Sequence, residues 1–287
     1  MLLARKVTLG LIQMRCAASP EENRAVAIGQ IARVAARGAG IVALPELFTS
    51  PYFCQRKDDR ATFDLAEEIP GPTSRALAEA ARKHGIVLIG GSIFERTDSD
   101  RYFNSSPVFG PDGAMLGIYR KMHIPEDHLY HEQNYFSPGD TGVRVFDTPF
   151  GKIAVLICYD QWFPEAARLA ALAGAELIVY PTAIGDIDEA AEENITGNWQ
   201  QLWRNVQLGH AAANNVYVAA LNRVGREGAI TFWGGSFVAD PASKVIAEAG
   251  VGEQILLAEC DLSRVRALQE AWRFLPNRRP DSYGGLL

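Results

Sequence analysis

The nonapeptide GAGIVALPE at 38–46 returns as GAELIVYPT at 174–182, and each copy stands in the same succession of apolar runs and breaks. An apolar run followed by a helical period precedes it, at 7–13 and 21–37 in the first half and at 153–157 and 163–172 in the second. A second helical run follows it, at 73–84 or 199–214, and stops at Gly85 or Asn215 just before another apolar run. Two copies of a strand–helix–strand–helix–strand plan constrain the fold severely. Such units with short connections pair their strands in parallel and cover the sheet with helices. Hairpin-like runs at 102–109 and 114–121, joined by Gly110-Pro111-Asp112-Gly113, add antiparallel strands, and 86–94 reads as one further strand. The expectation is an α/β chain forming a four-layer α-β-β-α sandwich with an internal pseudo-twofold duplication, the alternative being a doubly wound single sheet.

No linker rich in Ser, Gly or Pro divides the halves, so residues 1–287 read as a single domain, with 274–287 as an extended C-terminal arm packed on a neighbouring subunit. The 48% hydrophobic composition suffices for a large core. A formal charge of -6 without any Lys/Arg cluster speaks against nucleic acid and anionic membrane surfaces as partners. The opening MLLARKVTLGLIQM lacks the pattern of a signal peptide, and no apolar stretch reaches membrane-spanning length. Cysteines at 16, 54, 158 and 260 include no CxxC pair, which argues against a disulfide scaffold and a Cys-type zinc site. A cytoplasmic protein acting on a small molecule is expected. In that setting the triplets Asn104-Ser105-Ser106 and Asn194-Ile195-Thr196, which match the glycosylation pattern, carry no meaning.

Three reactive side chains fall at strand ends, where open parallel sheets gather their ligands. Glu46 follows the run 41–45, Lys121 closes the run from Met115, and Cys158 stands where the buried run 153–157 turns into a helix with Pro164 and Glu165 in its first turn. A helix N-terminus and a nearby cation would lower the thiol pKa. Taken singly, each has a bland reading: Cys158 as a small buried hydrophobe, Glu46 as a helix-start carboxylate, Lys121 as a solvated charge. Together they make chemical sense. A partly buried carboxylate takes the thiol proton, and a lysine with the backbone N–H of Tyr159 stabilises the oxyanion formed when the thiolate attacks a carbonyl, each donor worth roughly a hundredfold in rate.

The segments ALPELF (43–48), YRKMHIP (119–125) and CYDQWFPE (158–165) resemble the signatures of the carbon–nitrogen hydrolase, or nitrilase-related, superfamily over nearly the whole chain. The resemblance implies the sandwich, a catalytic triad at Glu46, Lys121 and Cys158, a covalent thiol intermediate, and homodimers or larger assemblies; no cofactor or metal is expected. It also implies a role for Glu132, eleven residues after the lysine, in positioning lysine and substrate. Tyr159, Asp160, Gln161 and Trp162 follow the cysteine, where nitrilases resemble Cys-Trp-Glu and relatives acting on carboxylated N-carbamoyl compounds tend to carry Arg or His. With PYFCQ (51–55), YPTAIG (180–185) and FWGGSF (232–237), the chain is most similar to the N-carbamoylputrescine amidase branch, which implies a small N-carbamoyl amine as substrate. The alternative is an amidase of ω-amides or of compounds such as N-carbamoyl-β-alanine.

Asp186, Asp188, Glu189, Glu192 and Glu193 follow a strand end and would form an acidic lid attractive to an ammonium-bearing substrate. Tyr52, Phe53, Trp162 and Trp233 are candidate pocket walls. A catalytically silent binding protein on this scaffold would be expected to lose a member of the triad, and all three are present. His123, His128 and His131 could suggest a metallohydrolase, but their spacing is not that of a helical HExxH site. Cys54 could compete as nucleophile, but it lies in a loop without a strand-to-helix turn.

Overall fold

The computed structural model describes residues 4–57, 59–99, 101–187 and 198–286. Strands Lys6–Gln13, Ile41–Ala43 and Val87–Ile89 run parallel in sequence order, with Leu9 opposite Ile41 and Ile41 opposite Val87. Strands Lys152–Val155, Leu177–Thr182 and Tyr217–Asn222 repeat the arrangement, with Ile153 opposite Leu177 and Leu177 opposite Tyr217. The duplicated peptide thus supplies the middle strand of each parallel trio. Antiparallel strands extend both trios into a seven-stranded and a six-stranded sheet. Gln254–Asp261 lies along Lys6–Gln13 through the full register from Lys6–Asp261 to Gln13–Gln254, so the end of the chain closes on its beginning.

Side-chain alternation along each strand decides how the layers stack, because successive residues face opposite sides of a sheet. In the first sheet Leu9, Leu11, Ile41, Ala43, Val87 and Ile89 enter the core shared with the second sheet. Their neighbours Ile12, Val42, Leu44 and Leu88 pack on Ala27, Ile31 and Val34 of helix Pro20–Ala36 and on Leu77, Ala80 and Ala81 of helix Pro72–His84. The second sheet is covered by helices Pro164–Leu172 and Trp199–Asn214 through Ala166, Ala167, Ala170, Ala171, Trp203 and Ala211. The architecture is the expected α-β-β-α sandwich. Helices end as the sequence marks them, at Gly85 and Asn215, both in the left-handed region that lets the chain reverse into the next strand.

Three expectations need correction. The run 86–94 is two strands, Val87–Ile89 and Ile93–Arg96, parted at Gly91 with φ +59. A Cβ at Gly91 would lie 2.2 Å from the Pro45 carbonyl oxygen, so the break lets this turn pass under the loop that carries Glu46. Cys158 does not open helix Pro164–Leu172; it opens a separate 3-10 turn, Cys158–Trp162. The C-terminal arm is not continuously extended, since 3-10 turns at Pro280–Ser282 and Gly284–Leu286 fold it locally around the Arg279–Asp281 ion pair.

Candidate active site

Glu46 follows strand Ile41–Ala43 on a loop whose next residue, Leu47, has φ +45. A branched residue there costs about 1–3 kcal/mol and persists only where surroundings over-determine it. Ser92 supplies one such restraint, its Oγ accepting from Leu47 N at 2.9 Å. The Glu46 carboxylate is fully buried. Its Oε1 accepts from Lys121 Nζ at 2.9 Å and from Asn104 Nδ2 at 2.8 Å, while Oε2 has no hydrogen-bond partner. That oxygen is a buried acceptor without a donor, open to a hydrogen bond or a proton from a neighbouring group.

Lys121 lies just beyond strand Met115–Arg120, pinned by its own N–H to the Asn104 carbonyl at 2.9 Å and by its carbonyl accepting from Gly139 N at 2.8 Å. Its ammonium also donates to Glu132 Oε2 at 2.6 Å, and the other oxygen of Glu132 accepts from Tyr52 Oη at 2.8 Å. One buried cation therefore holds two buried carboxylates.

Cys158 has φ +43, a conformation that turns the chain sharply out of the strand and is strained for a residue with a side chain. Asp160 holds this turn. Its fully buried carboxylate accepts from Ile157 N at 2.8 Å, Tyr119 Oη at 2.6 Å and His123 N at 3.1 Å, and lies 2.7 Å from His123 Nδ1. The Cys158 thiol lies 3.9 Å from the Ala183 carbonyl oxygen at the end of the neighbouring parallel strand.

Cys158 and Glu132 lie in the wall of a pocket that is otherwise formed by Tyr159, Trp162, Ala183, Ile184, Gly185, Ile187 and Trp199 on one side and Pro125, Asp127, His128 and Tyr130 on the other. Trp162 meets Trp199 edge to face at 6.1 Å, and Tyr130 Oη accepts from Gly185 N at 3.2 Å, joining the two sides. No Arg or Lys is among the described residues of this wall.

Burial dominates the electrostatics. It pushes the Cys158 thiol well above its ordinary value, with the Glu46 charge adding to the rise and Lys121 opposing it. The thiol pKa is raised, not lowered as a helix-start position would have it, because burial and the Glu46 charge outweigh the nearby lysine. The thiol rests protonated and needs a base. Glu132 is pushed up to about 7, by burial first and the Glu46 charge after Lys121 has acted against it. Burial also disfavours the Lys121 ammonium, but Glu132 and Glu46 outweigh it and hold the lysine well above its usual value. Two carboxylates sharing one cation place the titrating proton on the carboxylate side.

The structure brings Glu46, Lys121, Glu132 and Cys158 into one cluster and sets Tyr159 and Trp162 in the pocket wall. Tyr52 stands behind Glu132 and not in that wall; Phe53 stacks on Phe94 at 5.1 Å in a separate aromatic cluster, and Trp233 packs on Trp203 at 6.2 Å. Asp186 sits in strand Gly185–Ile187 between two wall residues, and strand alternation keeps it out of the wall itself. Asp188, Glu189, Glu192, Glu193 and the Asn194-Ile195-Thr196 triplet lie outside the described residues. Cys54 is fully buried and its thiol is pushed well above its ordinary value, chiefly by burial. The three histidines are engaged separately: His123 with Asp160, His131 with Glu126 at 2.9 Å, and His128 in the pocket wall. Among the described residues no group of three His, Cys, Asp or Glu is placed to hold a metal ion, and no helix is long and apolar enough to cross a membrane.

Sequence reasoning missed Asn104, Asp160, Tyr130 and Asp127. Asn104 belongs to a triplet that matches the glycosylation pattern, yet it is the second donor to Glu46. Its signal was faint: an amide inside an eight-residue strand, Tyr102–Phe109, that is otherwise almost fully buried and so needs a partner.

The carbon-nitrogen hydrolase family model matches residues 8–270. The chain is 41% identical to the N-carbamoylputrescine amidase of Solanum lycopersicum, over 99% of this chain and 95% of that protein. It is 39% identical to the citrullinase of Francisella tularensis over 96% of each. The crystal structure of a carbon-nitrogen hydrolase from Helicobacter pylori G27 superposes with a TM-score of 0.92 at 37% identity, covering 99% of this chain and 98% of that one. A buried thiol on a strained turn, beside a cation shared by two carboxylates in a two-sheet sandwich, accords with these likenesses, and the chain belongs to the carbon-nitrogen hydrolase family, enzymes that hydrolyse carbon–nitrogen bonds other than peptide bonds.

Proposed function

We propose that the chain hydrolyses N-carbamoylputrescine to putrescine, carbon dioxide and ammonia through a carbamoyl-thiol intermediate at Cys158. The observation that carries the chemistry is the open Oε2 of buried Glu46 in the cluster whose charges act on the Cys158 thiol. Glu46 takes the thiol proton as sulfur bonds to the ureido carbon, and Lys121 with the Tyr159 N–H receives the developing oxyanion. The tetrahedral intermediate collapses, the C–NH2 bond breaks, and the proton on Glu46 leaves with ammonia. Glu46 then deprotonates water, which attacks the carbamoyl carbon and frees the thiol. The released carbamate decomposes to amine and carbon dioxide.

Choice of substrate rests on the pocket wall. It carries the Asp127 carboxylate and no described Arg or Lys, which suits an ammonium at the far end of the substrate better than a carboxylate. The likeness to a citrullinase supports a second reading, a ureido amino acid as substrate. Ammonia release from N-carbamoylputrescine, citrulline and N-carbamoyl-β-alanine, with the Cys158→Ala protein as blank, separates these. Preference for the cationic compound is expected; preference for N-carbamoyl-β-alanine would overturn the substrate, and full turnover by Cys158→Ala would overturn the mechanism.

We further read residues 1–287 as one domain, acting in the cytoplasm without cofactor as a homodimer or larger assembly. Leu169 and Leu172 on helix Pro164–Leu172, Leu202 on helix Trp199–Asn214, and Trp272 leave large apolar side chains exposed, which supports self-association. Sedimentation equilibrium yielding only monomer would overturn it.

A further inference from the structure

Arg223, in the bend between strands Tyr217–Asn222 and Val224–Glu227, is a large charged side chain with no solvent exposure. A buried charge is costly unless paired and hydrogen-bonded, so its partners indicate what it holds. Nη2 donates to Glu227 Oε1 at 2.7 Å and to the Ser50 carbonyl at 2.8 Å; Nη1 reaches the Leu47 and Glu46 carbonyls at 3.3 and 3.4 Å. Glu227 Oε2 in turn accepts from Tyr52 N at 2.6 Å. Every backbone group held in this way belongs to residues 46–52, the loop that carries Glu46 at one end and Tyr52 at the other.

We propose that the buried Arg223–Glu227 pair is a positioning device for the active site, fixing the 46–52 loop so that Glu46 directly, and Glu132 through Tyr52, flank Lys121. The pair comes from the second half of the duplication and the loop from the first. It therefore sets the relation between the base and the half that carries Cys158. It also restrains Leu47 in its left-handed conformation, since an arginine fork shared among three carbonyls of one loop leaves that loop a single shape.

The inference rests on the reading of Glu46 as the base, and the experiment keeps the two apart. Arg223→Lys retains the charge and loses the fork, and Glu227→Gln retains the shape and loses the charge. For wild type, both variants and Glu46→Gln, kcat is measured per alkylatable Cys158, with KM, the pH profile and the circular-dichroism melt. In Arg223→Lys and Glu227→Gln, kcat per site is expected to fall at least tenfold, with KM within threefold of wild type and the acid limb displaced. If either folds and keeps wild-type kcat per site and pH profile, or loses only melting temperature, the positioning role is overturned. Should Arg223→Lys not fold, Glu227→Gln decides by the same criteria. Wild-type turnover by Glu46→Gln would instead overturn the reading of the base.

Discussion

The Tyr52 hydroxyl donates to Glu132 at 2.8 Å across eighty residues of sequence, and the other oxygen of that carboxylate accepts from Lys121 at 2.6 Å. Tyr52 thus acts on the lysine at one remove, from a loop whose opposite end carries Glu46.

Replacing Tyr52 by Phe removes a donor from a buried carboxylate. Stability is expected to fall by about 1–3 kcal/mol, the usual penalty for stranding a buried polar group. Loss of that bond also disfavours the charged form of Glu132, so the acid limb of kcat/KM moves to higher pH. A Tyr52→Phe enzyme with the wild-type pH profile would show that Glu132 does not govern that limb.

The raised pKa of Glu132, about 7 against the ordinary 4.5, makes a linkage prediction. The folded chain binds this proton more tightly than the unfolded chain, so the group's contribution to stability falls as pH rises between those two values. Glu132→Gln cannot titrate there. Its melting temperature relative to wild type should rise from pH 4.5 to pH 7 and then level off. A relative fall over that interval would mean that the cluster's proton sits elsewhere.

Asp160 holds the turn that presents Cys158. Asp160→Ala would strand the buried Tyr119 hydroxyl and Ile157 N–H, each costing about 1–3 kcal/mol. Thermal melts should show a loss of several degrees, and kcat should fall because φ of +43 at Cys158 loses its support. Retention of both would place the restraint on Cys158 outside Asp160.

Of the two carboxylates in the pocket wall, Glu132 is engaged by Lys121, which leaves Asp127 to meet the ammonium of the proposed substrate. In Asp127→Asn, KM for N-carbamoylputrescine should rise about fivefold, one screened charge pair being worth about 1 kcal/mol, with little change for the uncharged analogue N-butylurea. Equal effects on both compounds would remove Asp127 as the partner of the ammonium.

Much of this protein was legible locally. The repeated nonapeptide, the helical periods and the stops at Gly85 and Asn215 follow from backbone preference and side-chain periodicity, which act over a few residues and survive in any context. The segments around Glu46, Lys121 and Cys158 were likewise readable one at a time. The split of 86–94 was not, because the reason for Gly91 is the Pro45 carbonyl lying against it, a contact invisible in its own neighbourhood.

Local pattern was enough for the duplication, for most of the elements and for the side chains able to do chemistry. That Asn104 serves Glu46, that Arg223 and Glu227 hold the loop between Glu46 and Tyr52, and that burial raises the Cys158 thiol pKa are outcomes of the folded assembly. These depend on the stacking of two sheets, which brings together groups 58, 75 and 177 residues apart and removes water from among them. Local preference specifies neither a distant partner nor a dielectric, so hydrogen-bond pairing and proton affinity in the buried site are properties of the assembled fold.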